Sequence, residues 1–163
     1  MKTLMLLRHA KSSWDDESLS DHDRPLNRRG KKDAPAMGRL LLRENLVPET
    51  ILSSTAVRAR KTAEAVAKAL KRKNGVTLLE SLYLAPAGKL LAEAQAHAPE
   101  PTLRVLLVAH NPGMEDLVEI LSGRRERFPT AALAVFELGI DRWAELALGV
   151  ETKLVHLFRP KEL

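Results

Sequence analysis

The chain of 163 residues has no cysteine, few aromatic residues and no long apolar run. Without cysteine it can form neither disulfides nor thiolate metal sites, and a cytoplasmic location is expected. No apolar stretch approaches the ~20 residues of a membrane-spanning helix, and the N-terminal "LMLL" is too short for a signal-peptide core, so no membrane partner is expected. Phenylalanine, tryptophan and tyrosine make up 4% of the chain, too little to supply a stacking surface for nucleic-acid bases.

Positive charge exceeds negative charge only modestly. The 26 lysines and arginines against 21 aspartates and glutamates give a net charge of +5. Such an excess suits a nucleic acid, an anionic surface or an acidic substrate, but here it is spread along the chain as on an ordinary solvated surface. We therefore expect no nucleic-acid partner. The length and the 45% hydrophobic content fit one globular domain over residues 1–163, expected to be a monomer.

Short apolar runs alternate with segments of helical periodicity. Strong strand candidates are residues 3–7, 104–109 and 132–138, and weaker ones are 50–52, 76–79 and 153–158. Helices are predicted from Ala59 to a stop at Asn74-Gly75, over 88–97 and 114–122, and around Ala34, Met37 and Leu41. Pro35 implies that the last of these either starts near Asp33 or is kinked. The alternation predicts an α/β fold, a three-layer sandwich whose largely parallel central sheet is flanked by helices.

Polar residues follow three of the predicted strands directly. The first strand ends in Arg8-His9, and His110 follows the strand 104–109. Arg58 lies in the first turn of the helix that comes after the strand 50–52. Ligands of open α/β sheets bind beyond the carboxyl ends of the parallel strands. If the three strands are neighbours, these four side chains converge at one edge of the sheet.

Two arginines and two imidazoles form a pocket suited to an oxyanion such as phosphate. Arginine offers a fork of donors that matches phosphate geometry, and the helix N-termini after Ser54 and Gly113 would add backbone donors. One neutral imidazole can attack phosphorus to form a covalent intermediate, while the other can remain protonated and stabilise the transferring group. After His9 and Ala10 the chain continues with Lys11, Ser12 and Ser13. These residues either donate hydrogen bonds to phosphate or only shape the loop.

Other uses of these residues compete with this interpretation. A single histidine at a strand end is usually structural, but two histidines matched with arginines favour a site. Zinc would need a third ligand, and none is placed at the strand ends. A serine hydrolase would need a Gly-x-Ser-x-Gly elbow, which the sequence lacks. Arg60, two positions beyond Arg58, is interpreted as a surface residue.

The loop of residues 12–25, called the acidic loop below, carries five acidic residues without periodicity: Asp15, Asp16, Glu17, Asp21 and Asp23. Three roles are open for these carboxylates. They are simply solvated, they screen the pocket from polyanions, or they pair with Arg24, Arg28 and Arg29. Trp14 in the same loop is either a contact for a partner or an apolar anchor for the loop.

Several segments resemble motifs of the histidine phosphatase superfamily, which includes the phosphoglycerate mutases. They are "LLRHAKSS", "RPLNRRG" at 24–30, "SSTAVRARKTAE" and "VAHNPG". In addition, "FPTAALAVFEL" at 128–138 resembles the late strand of the small SixA-type phosphohistidine phosphatases. The resemblance runs in order from about residue 3 to 138.

The resemblance implies a phosphoglycerate mutase-like fold and a role for each motif residue. His9 would be the nucleophile that becomes phosphorylated, Arg8 and Arg58 would hold phosphate oxygens, and His110 would complete the pocket. It also implies catalysis without a metal or an organic cofactor.

One departure from the superfamily pattern bears on the substrate. Mutases and phosphomonoesterases of the superfamily carry a glutamate general acid where this chain has Leu84, and Glu80 lies four residues too early. An alkoxide leaving group benefits from such a proton donor, whereas the imidazole of phosphohistidine needs it less. The chain also has no large insertion between residues 59 and 103 to cap the pocket.

These features favour hydrolysis of the P–N bond of phosphohistidine, with a phosphorylated protein as the partner. Two alternatives stay open. One is a small phosphomonoesterase of the same superfamily that acts on a sugar or nucleotide phosphate. The other is a catalytically weak module that binds a phosphorylated group.

Overall fold

A computed structural model describes residues 1–72 and 75–163. The strands are β1 (Lys2–Arg8), β2 (Thr50–Ser54), β3 (Thr77–Leu79), β4 (Arg104–Ala109), β5 (Leu133–Leu138) and β6 (Thr152–Phe158). The α-helices are α1 (Arg28–Arg43), α2 (Val57–Ala69), α3 (Ala87–His97) and α4 (Gly113–Ser122). Each predicted strand is therefore present, with bounds within two residues of the prediction.

The six strands form one sheet in the order β3-β2-β4-β1-β5-β6. The first four run parallel, and β5 runs antiparallel to both of its neighbours. This arrangement confirms the predicted α/β sandwich with a largely parallel sheet. It also places the carboxyl ends of β2, β4 and β1 side by side at one edge.

Burial on both faces explains the continuous apolar runs of the central strands. In β1, Leu4 and Leu6 pack into the core beneath α3 and α4, whereas Met5 and Leu7 pack into the core beneath α1 and α2. All four side chains are fully buried. Alternate residues of a strand point to opposite faces, so a strand between two helical layers has no polar face.

Helix α1 begins at Arg28, so a start near Asp33 was the wrong alternative. Its start is fixed by Asn27, whose side chain accepts a hydrogen bond from the amide of Gly30 at 2.9 Å. Pro35 lies inside this helix. Helix α2 ends at Ala69. Of the stop predicted at Asn74-Gly75, Asn74 lies outside the described residues.

The segment 24–30 packs against the chain that follows β1. Asn27 donates its amide hydrogen to the carbonyl of Lys11 at 2.9 Å, and Ser13 donates to the carbonyl of Pro25 at 2.8 Å. A Cβ at Gly30 would collide with the Lys11 carbonyl, so only glycine fits there. The "RPLNRRG" segment therefore positions the backbone just beyond His9.

Within the described part of the chain, no helix is both long enough and apolar enough to cross a membrane.

Candidate active site

A pocket of about 200 Å³ opens at the carboxyl ends of β1, β2 and β4. Its lining residues are Arg8, His9, Lys11, Ser12, Trp14, Arg24, Arg58, Leu84, His110, Asn111 and Thr130. The structure thus brings the four residues singled out at the strand ends to one place. Lys11 and Ser12 also line the pocket, whereas Ser13 is held in the loop, where its Oγ accepts from the amide of Asp15 at 3.1 Å.

The register of β1 with β4 brings the two histidines together. Arg8 pairs with Ala109, so the next residues, His9 and His110, leave the sheet side by side. The His9 amide donates to the Ala109 carbonyl at 3.1 Å, and the two ring centroids are 5.1 Å apart. Both side chains are buried. One tetrahedral anion at this edge of the sheet can contact both rings.

One hydrogen bond decides the tautomer of His9. Its Nδ1 lies 2.8 Å from the carbonyl oxygen of Ala10, and because a carbonyl only accepts, Nδ1 carries the hydrogen. Nε2 therefore holds the lone pair. Burial, together with the charges of Arg58 and Arg8, outweighs the bond to Ala10 and lowers the pKa of His9 to about 3. At neutral pH His9 is the uncharged imidazole that a nucleophile must be.

Among these protein groups alone His110 is also neutral, so a protonated second imidazole, as hypothesised from the sequence, would need the bound anion. Burial, the neighbouring His9 and the charge of Arg58 lower its pKa to about 2. Its Nε2 lies 2.8 Å from Oγ of Ser54, at the end of β2. A bound phosphate would add negative charge beside the ring and favour the protonated form.

Both arginines line the pocket and are held by backbone carbonyls. Arg8 donates from Nη1 to the carbonyl of Phe128 at 3.3 Å, and Arg58 donates from Nη1 to the carbonyl of Asp21 at 2.6 Å. In the described structure, Nε of each arginine and Nδ1 of His110 are buried without a hydrogen-bond partner. Leaving such a group unsatisfied costs about 1–3 kcal/mol, so these nitrogens fit a site that binds an anion.

Asp21 of the acidic loop is a site residue that the sequence patterns did not single out. Its carboxylate accepts from Nη2 of Arg58 at 2.9 Å, from Nε of Arg24 at 3.2 Å and from the hydroxyl of Tyr83 at 2.5 Å. Pairing with Arg24 was one predicted use of the loop; pairing with Arg58 was not foreseen. The only signal in the sequence is the spacing of three residues between Asp21 and Arg24.

Neither Asp21 nor its hydrogen-bond partner Tyr83 is suited to donate a proton to a leaving group. Partial burial opposes ionisation of Asp21, but the hydrogen bonds from Tyr83 and Arg58 outweigh it and lower the pKa to about 2. Burial and the neighbouring Asp21 raise the pKa of Tyr83. At neutral pH Asp21 therefore has no proton to give, and the hydroxyl hydrogen of Tyr83 is already donated to Asp21.

Three further residues considered in the sequence analysis differ in whether they line the pocket. Leu84 lines the mouth, and Glu80 stands on a short 3₁₀ turn outside the lining. None of the described lining residues is an aspartate or glutamate. Arg60 pairs with Glu64 at 3.1 Å on the outer surface of α2, as expected of a surface residue.

No group of three histidine, cysteine, aspartate or glutamate side chains that could hold a metal ion occurs within residues 1–72 and 75–163. The zinc alternative therefore finds no third ligand among them.

Comparison with known proteins identifies similar chains. The model of the histidine phosphatase superfamily (branch 1) matches residues 4–83. An uncharacterised chloroplast protein of Arabidopsis thaliana is 32% identical over 152 residues, which is 88% of this chain and 70% of that protein.

Two solved structures extend the similarity to the whole fold. A protein from Agrobacterium tumefaciens that is described as a phosphohistidine phosphatase, SixA, is 30% identical to this chain. The two structures match with a TM-score of 0.80 over 98% of this chain and 99% of the other. The protein histidine phosphatase SixA in complex with tungstate is 26% identical, with a TM-score of 0.82 over 98% of each chain.

Proposed function

Because the chain belongs to the histidine phosphatase superfamily and is of the SixA type, we propose that it hydrolyses the P–N bond of phosphohistidine in phosphorylated proteins. That it is a phosphatase follows from the family. The observation that carries the finer proposal is the make-up of the pocket. A neutral, buried His9 lies among arginines, and no carboxylate stands among the described residues at the mouth.

In the proposed reaction, Nε2 of His9 attacks phosphorus while the bond from phosphorus to the substrate imidazole breaks. Solvent first protonates the other ring nitrogen of the substrate, so the electron pair of that bond goes to the leaving nitrogen and a neutral imidazole departs. Arg8 and Arg58 neutralise the phosphoryl oxygens, and His110 contacts the same group from the neighbouring strand end. Water then attacks phosphorus and gives a proton to solvent; its P–O bond replaces the bond to His9, the electron pair returns to Nε2 of His9, and inorganic phosphate is released.

The absence of a suitable acid among the described residues around the pocket separates P–N from P–O substrates. An alkoxide leaves as a strong base and needs a positioned donor in the transition state. Asp21 is ionised, and Tyr83 lies outside the pocket lining with its hydroxyl hydrogen donated to Asp21, so neither fills that role. An imidazole leaves as a much weaker base and can be protonated by water.

The tungstate complex of a SixA protein supports the proposal that an oxyanion occupies this pocket. Tungstate has the tetrahedral shape of phosphate, and the unpartnered nitrogens of Arg8, Arg58 and His110 are suited to it. We further propose that the enzyme acts as a cytoplasmic monomer without metal or cofactor.

The proposal is tested by phosphate release from three compounds: a phosphohistidine peptide, phosphoramidate and a phosphoserine peptide, whose leaving group is an alkoxide. We expect turnover of both P–N compounds, unchanged by EDTA and inhibited by tungstate, and at least tenfold lower kcat/KM for the ester. A higher kcat/KM for the ester would favour the phosphomonoesterase alternative. Loss of activity in EDTA would contradict the metal-free reaction.

A further inference from the structure

We propose that Trp14 and Leu84 form a binding surface at the pocket mouth for the planar ring of the leaving group. This surface would select phosphohistidine over substrates whose leaving group has no ring. The inference rests on the proposed function and adds to it the residues that recognise the imidazole.

Trp14 and Leu84 stand apart from the rest of the described lining, which is polar or charged. They are the large apolar side chains there, and they are 68% and 51% exposed. Leu84 has a φ of 52°, a left-handed conformation that is unfavourable for a leucine. An exposed leucine held in that conformation at the mouth of a pocket is typical of a functional position rather than of a packing requirement.

Trp14 is held in place from behind. The guanidinium carbon of Arg24 lies 3.4 Å from the centroid of the Trp14 ring. Arg24 is itself buried, and it donates to Oγ of Ser12 at 2.7 Å and to Asp21 at 3.2 Å. The exposed ring is thus held by a buried arginine, whose partner Asp21 also pairs with Arg58. A preorganised aromatic surface loses little conformational entropy when it binds a second ring.

The direction of the reaction brings the leaving group to this surface. In a phosphoryl transfer the attacking and leaving atoms lie roughly in line on opposite sides of phosphorus. His9 is buried at the base of the pocket, so the leaving nitrogen lies on the side away from His9, towards the solvent-exposed mouth. The side chains exposed at that mouth include Trp14 and Leu84.

The chemistry of the surface favours a flat ring. An imidazole can stack on Trp14 and bury apolar area against Leu84. A sugar would have to desolvate hydroxyl groups against the same apolar atoms. The amino group of phosphoramidate is too small to reach either side chain and therefore gains nothing from them.

The decisive variant is W14A, assayed on a phosphohistidine peptide and on phosphoramidate. We expect KM for phosphohistidine to rise about fivefold more than KM for phosphoramidate, the effect of losing one aromatic pair. W14F should restore the parent ratio to within about twofold, since phenylalanine keeps an aromatic face. The matched control is L19A, an exposed apolar residue of the acidic loop outside the pocket lining, which should leave the ratio unchanged.

A measurement on the parent protein covers the case in which W14A does not fold. The chain has two tryptophans, and Trp143 is buried, so Trp14 is the one at the pocket. With tungstate present, imidazole should change the fluorescence saturably in the parent but not in W14F. Glucose, which has no aromatic ring, should have no effect.

The outcomes separate this inference from the proposed function. Equal loss on both substrates in W14A would mean that Trp14 only orders Arg24, and the inference would fail while the proposed function stood. An unchanged ratio, or fluorescence that responds alike to imidazole and glucose, would also overturn it. If the parent released phosphate from no P–N compound, both would fall.

Discussion

The tautomer of His9 that the proposed nucleophile needs depends on the carbonyl of Ala10. By accepting from Nδ1 at 2.8 Å, this carbonyl leaves the lone pair on Nε2. Burial and the charges of Arg58 and Arg8 keep the ring unprotonated at neutral pH. The same arginines that we propose to bind the phosphoryl oxygens therefore also keep His9 in the form that a nucleophile requires.

The lowered pKa values of the two histidines predict how stability changes with pH. The folded-state pKa is about 3 for His9 and about 2 for His110, against 6.5 for an ordinary histidine. As pH falls below 6.5, the unfolded chain takes up protons that the folded chain refuses. The free energy of unfolding should then fall by up to ~1.4 kcal/mol per pH unit for each imidazole.

Urea unfolding of the parent and of H110N between pH 7.5 and pH 5 measures this effect. The variant lacks one of the two imidazoles, so its unfolding free energy should fall less steeply with decreasing pH than that of the parent. Parallel curves would show that His110 titrates normally in the folded protein.

Asp21 acts through Arg58, and its replacement should weaken phosphate binding without removing the nucleophile. In D21N the group that accepts from Nη2 of Arg58 loses its negative charge. The backbone carbonyl of residue 21 still accepts from Nη1 of Arg58. We expect kcat/KM to fall about tenfold and the affinity for tungstate to fall with it. Because the pKa of Asp21 is about 2, the carboxylate is ionised throughout the assay range, and the deficit should not vary with pH above about 4.

The matched control is D23N, because Asp23 lies with Asp21 in one 3₁₀ turn, Asp21–Asp23. Asp23 lies 3.4 Å from the ring of His22 and is exposed. D23N should keep the parent's kcat/KM. A D21N variant that keeps the parent's affinity for tungstate would show that Asp21 does not position Arg58.

At the scale of the elements, the central strands could be predicted because burial on both faces makes them continuous apolar runs. Because β1 and β4 are neighbouring parallel strands, their carboxyl ends lie side by side. Their register brings His9 beside His110. The start of α1 was less certain because Pro35 suggested a late start. The capping side chain of Asn27 decides it instead.

The contacts of Asp21 could not be read from the sequence. They join the acidic loop to α2 and to the segment around Tyr83, three regions far apart in the chain. A run of carboxylates without periodicity is typical of a solvated loop, and only the folded arrangement shows that one of them is tied to two arginines.

The start of α1 offers a test of how the loop after His9 is held. In G30A the new Cβ would collide with the backbone carbonyl of Lys11, which cannot move without shifting the pocket wall. We expect a loss of about 1–3 kcal/mol in unfolding free energy and a lower kcat. Urea unfolding and phosphate release check both effects.

The control for this variant is G88A. Gly88 also lies in the first turn of a helix, but its added Cβ meets no atom within 4 Å. It should be neutral or stabilising by up to ~1 kcal/mol, because alanine is the better helix former. If G30A behaved like G88A, the close packing of the 24–30 segment against Lys11 would not be what positions the loop.

At the scale of the whole molecule, three sheet strands, the N-terminus of α2 and one loop meet at a single open pocket. The sequence predicted the fold class, and the comparisons confirm the family to which it belongs. The mouth is lined by side chains of the acidic loop and by Leu84, and within residues 1–72 and 75–163 no inserted domain covers it. Such an open site suits a phosphorylated side chain on the surface of another folded protein.

The most direct test is to trap phosphate on the enzyme. The protein is mixed with radiolabelled phosphoramidate, denatured at alkaline pH within its first turnover, digested and analysed by mass spectrometry. We predict one labelled peptide, with the phosphoryl group on His9, and neither label nor phosphate release in H9A. Label on another residue, or phosphate release by H9A at the parent's rate, would contradict the account.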